Sequence, residues 1–455
     1  MEPNLWRDCP RLAWAATALV LAMLSKGFIA LQPFDQPFIG IQPVSWIVAA
    51  GIVAGGAYML LPATLPYLDG LPTGLYWVFG IGLALRLVMM VPEPILKIDY
   101  YRYLWDGAVI MSGLSPYEWS PDRIVSGAGP EALSQLAQES SGMIGRINYP
   151  RLTTIYPPAA EFVFAVTSWI KPWDLLVWRL VILAFEFATL ALLYGLLIQL
   201  ERPAVWIILY WWNPVVITEF SNAAHMDAIL LPALLGATLL AIRARGCMAA
   251  VCLAVATAIK LWPLLLLPTL TRSLRAAVVF AVVTAALLWP FISQAFQLDA
   301  GFRAYGVSWE RNAALFHVLL GGLRSALDGY GLFDLDAGRI LRFVVAVVVV
   351  MVALGINRRA ATGPEMTVRR IIIVIATLLL LGPTLYPWYY TGLVPFLALV
   401  PITGLLAFSV VLPLYYLQFH PWIQDHSQAF TDYVVWLEQG PIFLLLFLAW
   451  RGRRV

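Results

Sequence analysis

Thirteen apolar runs follow one another along this chain, at 12–31, 44–62, 75–92, 158–170, 174–198, 204–218, 228–242, 247–268, 276–293, 338–356, 371–388, 391–417 and 435–450. A helix crossing a bilayer needs about 20 apolar residues. Backbone in lipid must also satisfy its own hydrogen bonds, and a helix does that within one segment. The expected fold is therefore all-α, a polytopic transmembrane helical bundle. Composition agrees. The chain is 61% hydrophobic and 12% charged, with a mean hydropathy of +0.80, whereas a soluble domain is about a quarter charged. The net charge of +3 gives no footing for nucleic acid. Cys9, Cys247 and Cys252 lie near the N-terminus or in apolar runs and imply no disulfide framework.

Basic loops set the topology. Arg7 and Arg11 precede the first run, and no small-residue cleavage site follows it. The reading is a retained first helix with a cytoplasmic N-terminus. Arg243/Arg245, Arg272/Arg275, Arg358/Arg359/Arg369/Arg370 and Arg451/Arg453/Arg454 mark further cytoplasmic loops. Segment 93–157 then lies outside. The run 247–268 sits between two inside loops, so it should rise, break near Lys260-Leu-Trp-Pro263 and return. The run 391–417, interrupted by Pro395 and Pro401, reads as a short pair, and parity requires one run among 158–218 not to cross fully. The expectation is about 11–13 spans. They divide into two N-terminal helices over 1–74, a core module over 75–295 and a C-terminal transmembrane region over 296–455.

The outer segment opens with Lys97-Ile-Asp-Tyr-Tyr-Arg-Tyr-Leu-Trp-Asp-Gly107 and continues through Gly113-Leu-Ser-Pro-Tyr117. As a helix, Asp99, Arg102, Tyr103 and Asp106 share one face. Gly107, Gly113 and Pro116 are expected to break it. One reading is an amphipathic helix lying on the membrane, anchored by its aromatics. The other is a pair of carboxylates beside apolar surface, placed for base catalysis.

Four further groups carry chemistry. Glu219, His225 and Asp227 fall within nine positions of a very apolar region. Helix capping by Asn222 or Asp227 explains one of them, whereas ionisable groups in membrane segments are functional candidates. His225 and Asp227 offer too few ligands to favour a metal. Lys260 lies inside an apolar run, either paired to Glu219 or Asp227 or anchoring a lipid phosphate. Asn148-Tyr-Pro and Tyr156-Pro-Pro close the outer segment and suit an aromatic belt with a helix start. Trp309-Glu-Arg311-Asn and Tyr386-Pro-Trp-Tyr-Tyr390 mark outer ends; Arg311 there runs against the topology bias, and the aromatics suit sugar stacking. Asp334 and Asp336 read as a helix cap. No Gly-rich nucleotide loop, Walker motif or Ser-His-Asp pattern occurs. A substrate already in the membrane is thus the expected kind.

Asp99-x-x-Arg102-Tyr103-x-Trp105-Asp106-Gly107 followed by Gly113-x-x-Pro116-Tyr117 resembles the first outer loop of bacterial GT-C glycosyltransferases. The likeness is greatest to polyprenyl-phosphate-mannose-dependent mannosyltransferases and their relatives in glycosyltransferase family 87. Asn148-Tyr-Pro, Tyr156-Pro-Pro, Asn213-Pro, His225-x-Asp227 and Lys260-x-x-Pro263 fit the same order, over about residues 80–270. Two features depart from the pattern: two extra helices precede the loop, and Ser115 stands before Pro116-Tyr117.

The resemblance implies a GT-C fold with a long catalytic outer loop. It implies an inverting enzyme of the cell's inner (plasma) membrane that moves a hexose, mannose by the nearest relatives, from a polyprenyl-phosphate donor to a lipid or glycan acceptor on the extracytoplasmic face. Asp99 is the implied general base, with Asp106 as a helper. Arg102, Tyr103, Tyr156, Glu219, His225, Asp227, Lys260, Arg311 and Tyr386 are the expected substrate-binding groups. No cofactor and no metal ligand is expected. The rival readings are a transporter or flippase of lipid-linked sugars, disfavoured by the absence of an internal repeat, and a non-enzymatic subunit of an envelope assembly.

Overall fold

A computed structural model describes residues 5–30, 41–65, 74–94, 96–294, 297, 300–359 and 361–452. The described residues form helices and no β-strand. In chain order the principal helices are α1 (Leu5–Ala30), α2 (Ile41–Tyr58), α3 (Gly74–Met89), α4 (Tyr100–Met111), α5 (Pro158–Ile170), α6 (Leu175–Gln199), α7 (Asp227–Ile242), α8 (Gly246–Ile259), α9 (Leu274–Ile292), α10 (Ala314–Gly329), α11 (Ala337–Gly355), α12 (Pro364–Leu381) and α13 (Val435–Gly452). Among the described residues five helices are long and apolar enough to cross a membrane, and six shorter apolar helices accompany them. The polytopic all-α bundle expected from the apolar runs is the fold observed.

The helix ends follow local rules. Asp174 caps α6 by accepting from Val177 N at 2.9 Å, and Asp336 caps α11 by accepting from Arg339 N at 3.0 Å. Pro158 opens α5 at the position where a missing N–H does no harm. The run 204–218 does not cross. It breaks into short turns at Ala204–Ile207, Ile208–Trp211 and Pro214–Val216, the last capped by Asn213, which accepts from Val215 N at 3.0 Å. A π-turn over Ile217–Asn222 follows. The run 391–417 likewise folds as short pieces, Val394–Leu399, Thr403–Leu406 and Phe408–Val411 among them.

Three local expectations are corrected. Gly107 does not end α4, which continues to Met111 and stops before Gly113, whose φ is +79°. The role of Gly107 is contact. A Cβ there would lie 2.3 Å from the Phe164 carbonyl oxygen, so glycine lets α4 lie against α5. Asn222 and Asp227 do not cap α7, whose N-cap is Met226 with no side-chain bond. Asn222 instead donates to the carbonyls of Glu93 (3.2 Å) and Met89 (3.4 Å). Helices over Gly301–Ser308 and α10, in a stretch without an apolar run, were legible only as a gap between spans.

A fully buried ion pair lies in the bundle core. Arg86 on α3 donates to both oxygens of Glu186 on α6, at 2.9 and 2.7 Å, and to the Trp211 carbonyl at 2.7 Å. Its guanidinium lies 3.3 Å from the Trp211 ring centroid. The fork of donors is nearly all used, which is the condition under which a buried charge is tolerated. The pair ties α3, α6 and the broken segment 208–211 together.

For the site, the hairpin of α7 and α8 matters most. The two helices pack antiparallel, with Arg243 and Arg245 at their turn. Asp227 therefore begins α7 at the same end at which Lys260 follows α8. At 1.5 Å per residue that end is roughly 20 Å from the basic turn.

Candidate active site

Lys260 stands where α8 stops. Its backbone is extended (φ −152°, ψ 135°), and Pro263 three residues on cannot continue a helix. A cation at a helix C-terminus and an anion at an N-terminus both suit the helix dipoles. Lys260 Nζ donates to Asp227 Oδ1 at 2.5 Å and lies 4.0 Å from the Tyr389 ring centroid. Of the two partners weighed for this lysine, the structure selects Asp227.

This pair lies on a cavity of about 640 Å³. From the outer segment, Asp99, Arg102, Tyr103, Asn148, Tyr149 and Tyr156 line it. From later in the chain come Arg311, Tyr386, Trp388 and Tyr389, and Lys97 precedes them all. Its charged lining is four cations, Lys97, Arg102, Lys260 and Arg311, against two carboxylates, Asp99 and Asp227. Part of the wall is apolar, from Ile375, Leu378 and Leu379 of α12 with Ile259 and Leu261.

Asp99 sits at the N-terminus of α4, on the cavity wall. Its Oδ1 accepts from Asn148 Nδ2 at 2.9 Å, and its Oδ2 lies 3.7 Å from His225 Nδ1. The next residue, Tyr149, has φ +53°, a strained conformation for a bulky side chain. That turn packs Tyr149 against Trp309, with ring centroids 4.3 Å apart and the planes tilted by 58°. Arg102 donates to the Leu152 carbonyl at 3.1 Å, fixing the same loop from the helix side. The Asn148-Tyr149 segment, readable as an aromatic belt, thus belongs to the cavity wall.

Two distant loops meet opposite. Arg311 pairs by backbone with the 383–385 segment: Arg311 N donates to Pro383 O, and Leu385 N donates to Arg311 O, each at 3.0 Å. Trp309 Nε1 donates to the Tyr386 hydroxyl at 2.8 Å. Tyr386 stacks on Trp388 at 4.3 Å, and Trp388 on His225 at 4.1 Å.

Eight of the eleven residues singled out from the sequence line the cavity, and three do not. Asp106 is buried away from it, about two turns along α4 from Asp99. Its nearest cation is Arg102 at 3.9 Å, and burial pushes its carboxyl up to about 6 against that cation's pull. Close packing of α4 on α5 at Gly107 covers it. His225 and Glu219, expected to touch substrate, sit one layer behind the wall with essentially no exposure. Glu219 accepts from the Tyr416 hydroxyl, and its other oxygen lies 3.4 Å from His225 Nε2.

Lys97 was missed. It is buried, with Nζ 3.8 Å from the Trp388 ring centroid and 4.6 Å from that of Tyr415. Burial pushes its ammonium down to about 8, with Glu219 and Asp99 opposing the shift. The signal was present: a lysine flanked by Leu96 and Ile98 directly after a span carries the same desolvation argument as Lys260. Among the described residues, no group of three or more His, Cys, Asp or Glu side chains is arranged to hold a metal ion.

The family model for alpha-(1->6)-mannopyranosyltransferases, N-terminal domain, matches residues 13–278. The chain belongs to that family. It is accordingly a membrane-embedded glycosyltransferase whose activity is mannosyl transfer, and the transporter and non-enzymatic readings give way to an enzyme. The matched span contains most of α1, all of α2 through α8, the outer segment, and the ends that carry Asp99, Asp227 and Lys260. No curated protein and no solved structure matches the chain.

Proposed function

We propose that this mannosyltransferase takes mannose from a polyprenyl-phosphate donor and passes it to a lipid or glycan hydroxyl on the extracytoplasmic face of the inner membrane. The observation that carries the reading is the cavity's composition: an excess of cations, a single carboxylate free of any cation, Asp99, and an apolar side. A phosphate on an isoprenoid needs the cations and the apolar side, and an acceptor hydroxyl needs the carboxylate. The side assignment rests on the cavity lying at the end of the α7–α8 hairpin opposite Arg243 and Arg245.

The chemistry follows from these groups. The acceptor oxygen attacks the anomeric carbon as the bond from that carbon to the phosphate oxygen breaks. Asp99 takes the acceptor proton. The departing phosphate gains charge, and Lys260, Lys97 and Arg311 meet it. Polyprenyl phosphate is a good leaving group, so no general acid is required. One displacement inverts the anomeric centre, as in single-step glycosyl transfer to water. Asn148 holds Asp99 in place, and the aromatic wall of Tyr149, Trp309 and Tyr386 stacks on sugar. Purified enzyme in lipid with radiolabelled polyprenyl-phosphate mannose tests this. Transfer to extracted membrane acceptors is expected for the wild type and lost in Asp99→Asn. Full transfer by Asp99→Asn, or transfer from GDP-mannose alone, overturns the reading.

A further inference from the structure

Behind Asp99 lies a row of buried polar atoms that the transfer step does not use. His225 is fully buried, and neither ring nitrogen has a hydrogen-bond partner. Nδ1 faces Asp99 Oδ2 at 3.7 Å, and Nε2 faces Glu219 Oε2 at 3.4 Å. That Glu219 oxygen is also unpartnered, while its other oxygen accepts from Tyr416. Orphaned buried polar atoms are rare and call for a reason. Here they lie in sequence, acid to imidazole to acid, and the imidazole plane is set by its stack on Trp388, within 11° of parallel. Ala224, just before the histidine, has φ +59°, a strained turn that delivers the ring to this place. The Nδ1 gap is a few tenths of an ångström too long for a hydrogen bond, and the Nε2 pair lies within reach without forming one, as is common before substrate is bound. Lys97 and Lys260 are the cations around the row, Lys97 against Trp388, Tyr415 and Tyr416, and Lys260 against Asp227.

We infer that His225 and Glu219 form a proton relay that positions Asp99 and empties it after each transfer. This rests on Asp99 as the base. In the step, the acceptor O–H breaks and its proton goes to Asp99, while the new C–O bond forms and the phosphate leaves with the electron pair. Asp99 then gives the proton to His225 Nδ1, and His225 releases its Nε2 proton to Glu219. The carboxylate of Asp99 is restored, and the proton rests on Glu219, held by Tyr416, until the products leave. The same steps then run in reverse, from Glu219 to His225 Nε2 and from His225 Nδ1 to Asp99, whose 26% exposed side chain passes the proton to solvent and leaves the imidazole in its starting tautomer. His225 and Glu219 are positioning residues: they lie behind the wall and act through Asp99.

The test compares His225→Gln, Glu219→Gln and Asp99→Asn in lipid, with polyprenyl-phosphate mannose as donor. Each variant's folding is followed by thermal melting. A relay predicts that kcat falls by ~10²-fold in both relay variants while KM for donor moves by less than about threefold. It also predicts that the wild-type rate in H2O/D2O mixtures curves with deuterium content, as more than one proton moves, and that Glu219→Gln makes the dependence linear. Added imidazole should restore part of the rate of His225→Ala; where that variant does not fold, Glu219→Gln alone carries the test. Relay variants with near wild-type kcat beside an inactive Asp99→Asn overturn the relay and leave the base in place. An active Asp99→Asn overturns the base reading itself. Lower melting temperature and weaker donor binding with an unchanged isotope response assigns the pair to packing and overturns the relay.

Discussion

Lys260 Nζ and Asp227 Oδ1 are 2.5 Å apart, joined across the adjacent ends of two antiparallel helices that the chain reaches 33 residues apart. The lysine side chain remains 23% exposed and faces the cavity, whereas that of Asp227 is 6% exposed. The pair therefore holds a cation at the cavity while one side of it stays open to substrate.

Removing the lysine leaves a buried carboxylate unpaired. Lys260→Met should lower kcat/KM for donor by about 10- to 100-fold and also destabilise the fold. The double variant Lys260→Met/Asp227→Asn should recover the melting temperature without recovering activity. Recovery of both would reduce the pair to a structural tie.

Asn148 orients Asp99 through a single 2.9 Å bond. Asn148→Ala should lower kcat by roughly tenfold, the loss of about 1.4 kcal/mol of orientation, with KM for donor little changed. Steady-state kinetics at saturating donor decides it; an unchanged kcat would show that Asp99 is held by other means.

The rate should depend on pH through Lys97, whose ammonium is pushed down to about 8. The sign is that of a base with a depressed value: charged below about 8, neutral above it. If the cation meets the phosphate, kcat/KM for donor is flat near neutrality and declines as pH rises through about 8. Lys97→Arg, always charged, should abolish that decline. An identical alkaline limb in the arginine variant would assign the titration elsewhere.

Gly107→Val is predicted to disrupt the α4–α5 contact, because even a Cβ would meet the Phe164 carbonyl at 2.3 Å. A cost of about 1–3 kcal/mol follows from overpacking at such a contact. Thermal melting in detergent measures it, and Gly113→Ala, where nothing lies within 4 Å but φ is +79°, should be milder.

Arg86→Met should destabilise by about 3–5 kcal/mol by stranding the buried Glu186 carboxylate, and Arg86→Met/Glu186→Leu should return much of that stability. The pair lies away from the cavity, so the double variant keeps its mannosyl transfer. Melting curves and transfer assays on the same preparations check both halves.

Run lengths, basic loops and proline positions determined the helical bundle, the break at Lys260 and the failure of one run among 158–218 to cross, because lipid demands internally bonded helices and those signals are local; that the broken run is 204–218 was decided by the fold. The sequence also named most of the cavity's charged lining, since an ionisable residue in an apolar segment is conspicuous wherever it occurs. It did not separate wall from backing. Asp99 and Asp106 share a helical face by spacing, yet α5 covers one and leaves the other open. His225 and Asp227 are two residues apart, yet only Asp227 reaches the cavity. Nor could spacing show that Trp309, Arg311 and Tyr386 share a wall, because a backbone pairing between Arg311 and the 383–385 segment brings them together from 75 residues apart. Which side of a helix end is covered, and by what, depends on contacts between remote segments, and those exist only once the chain has packed.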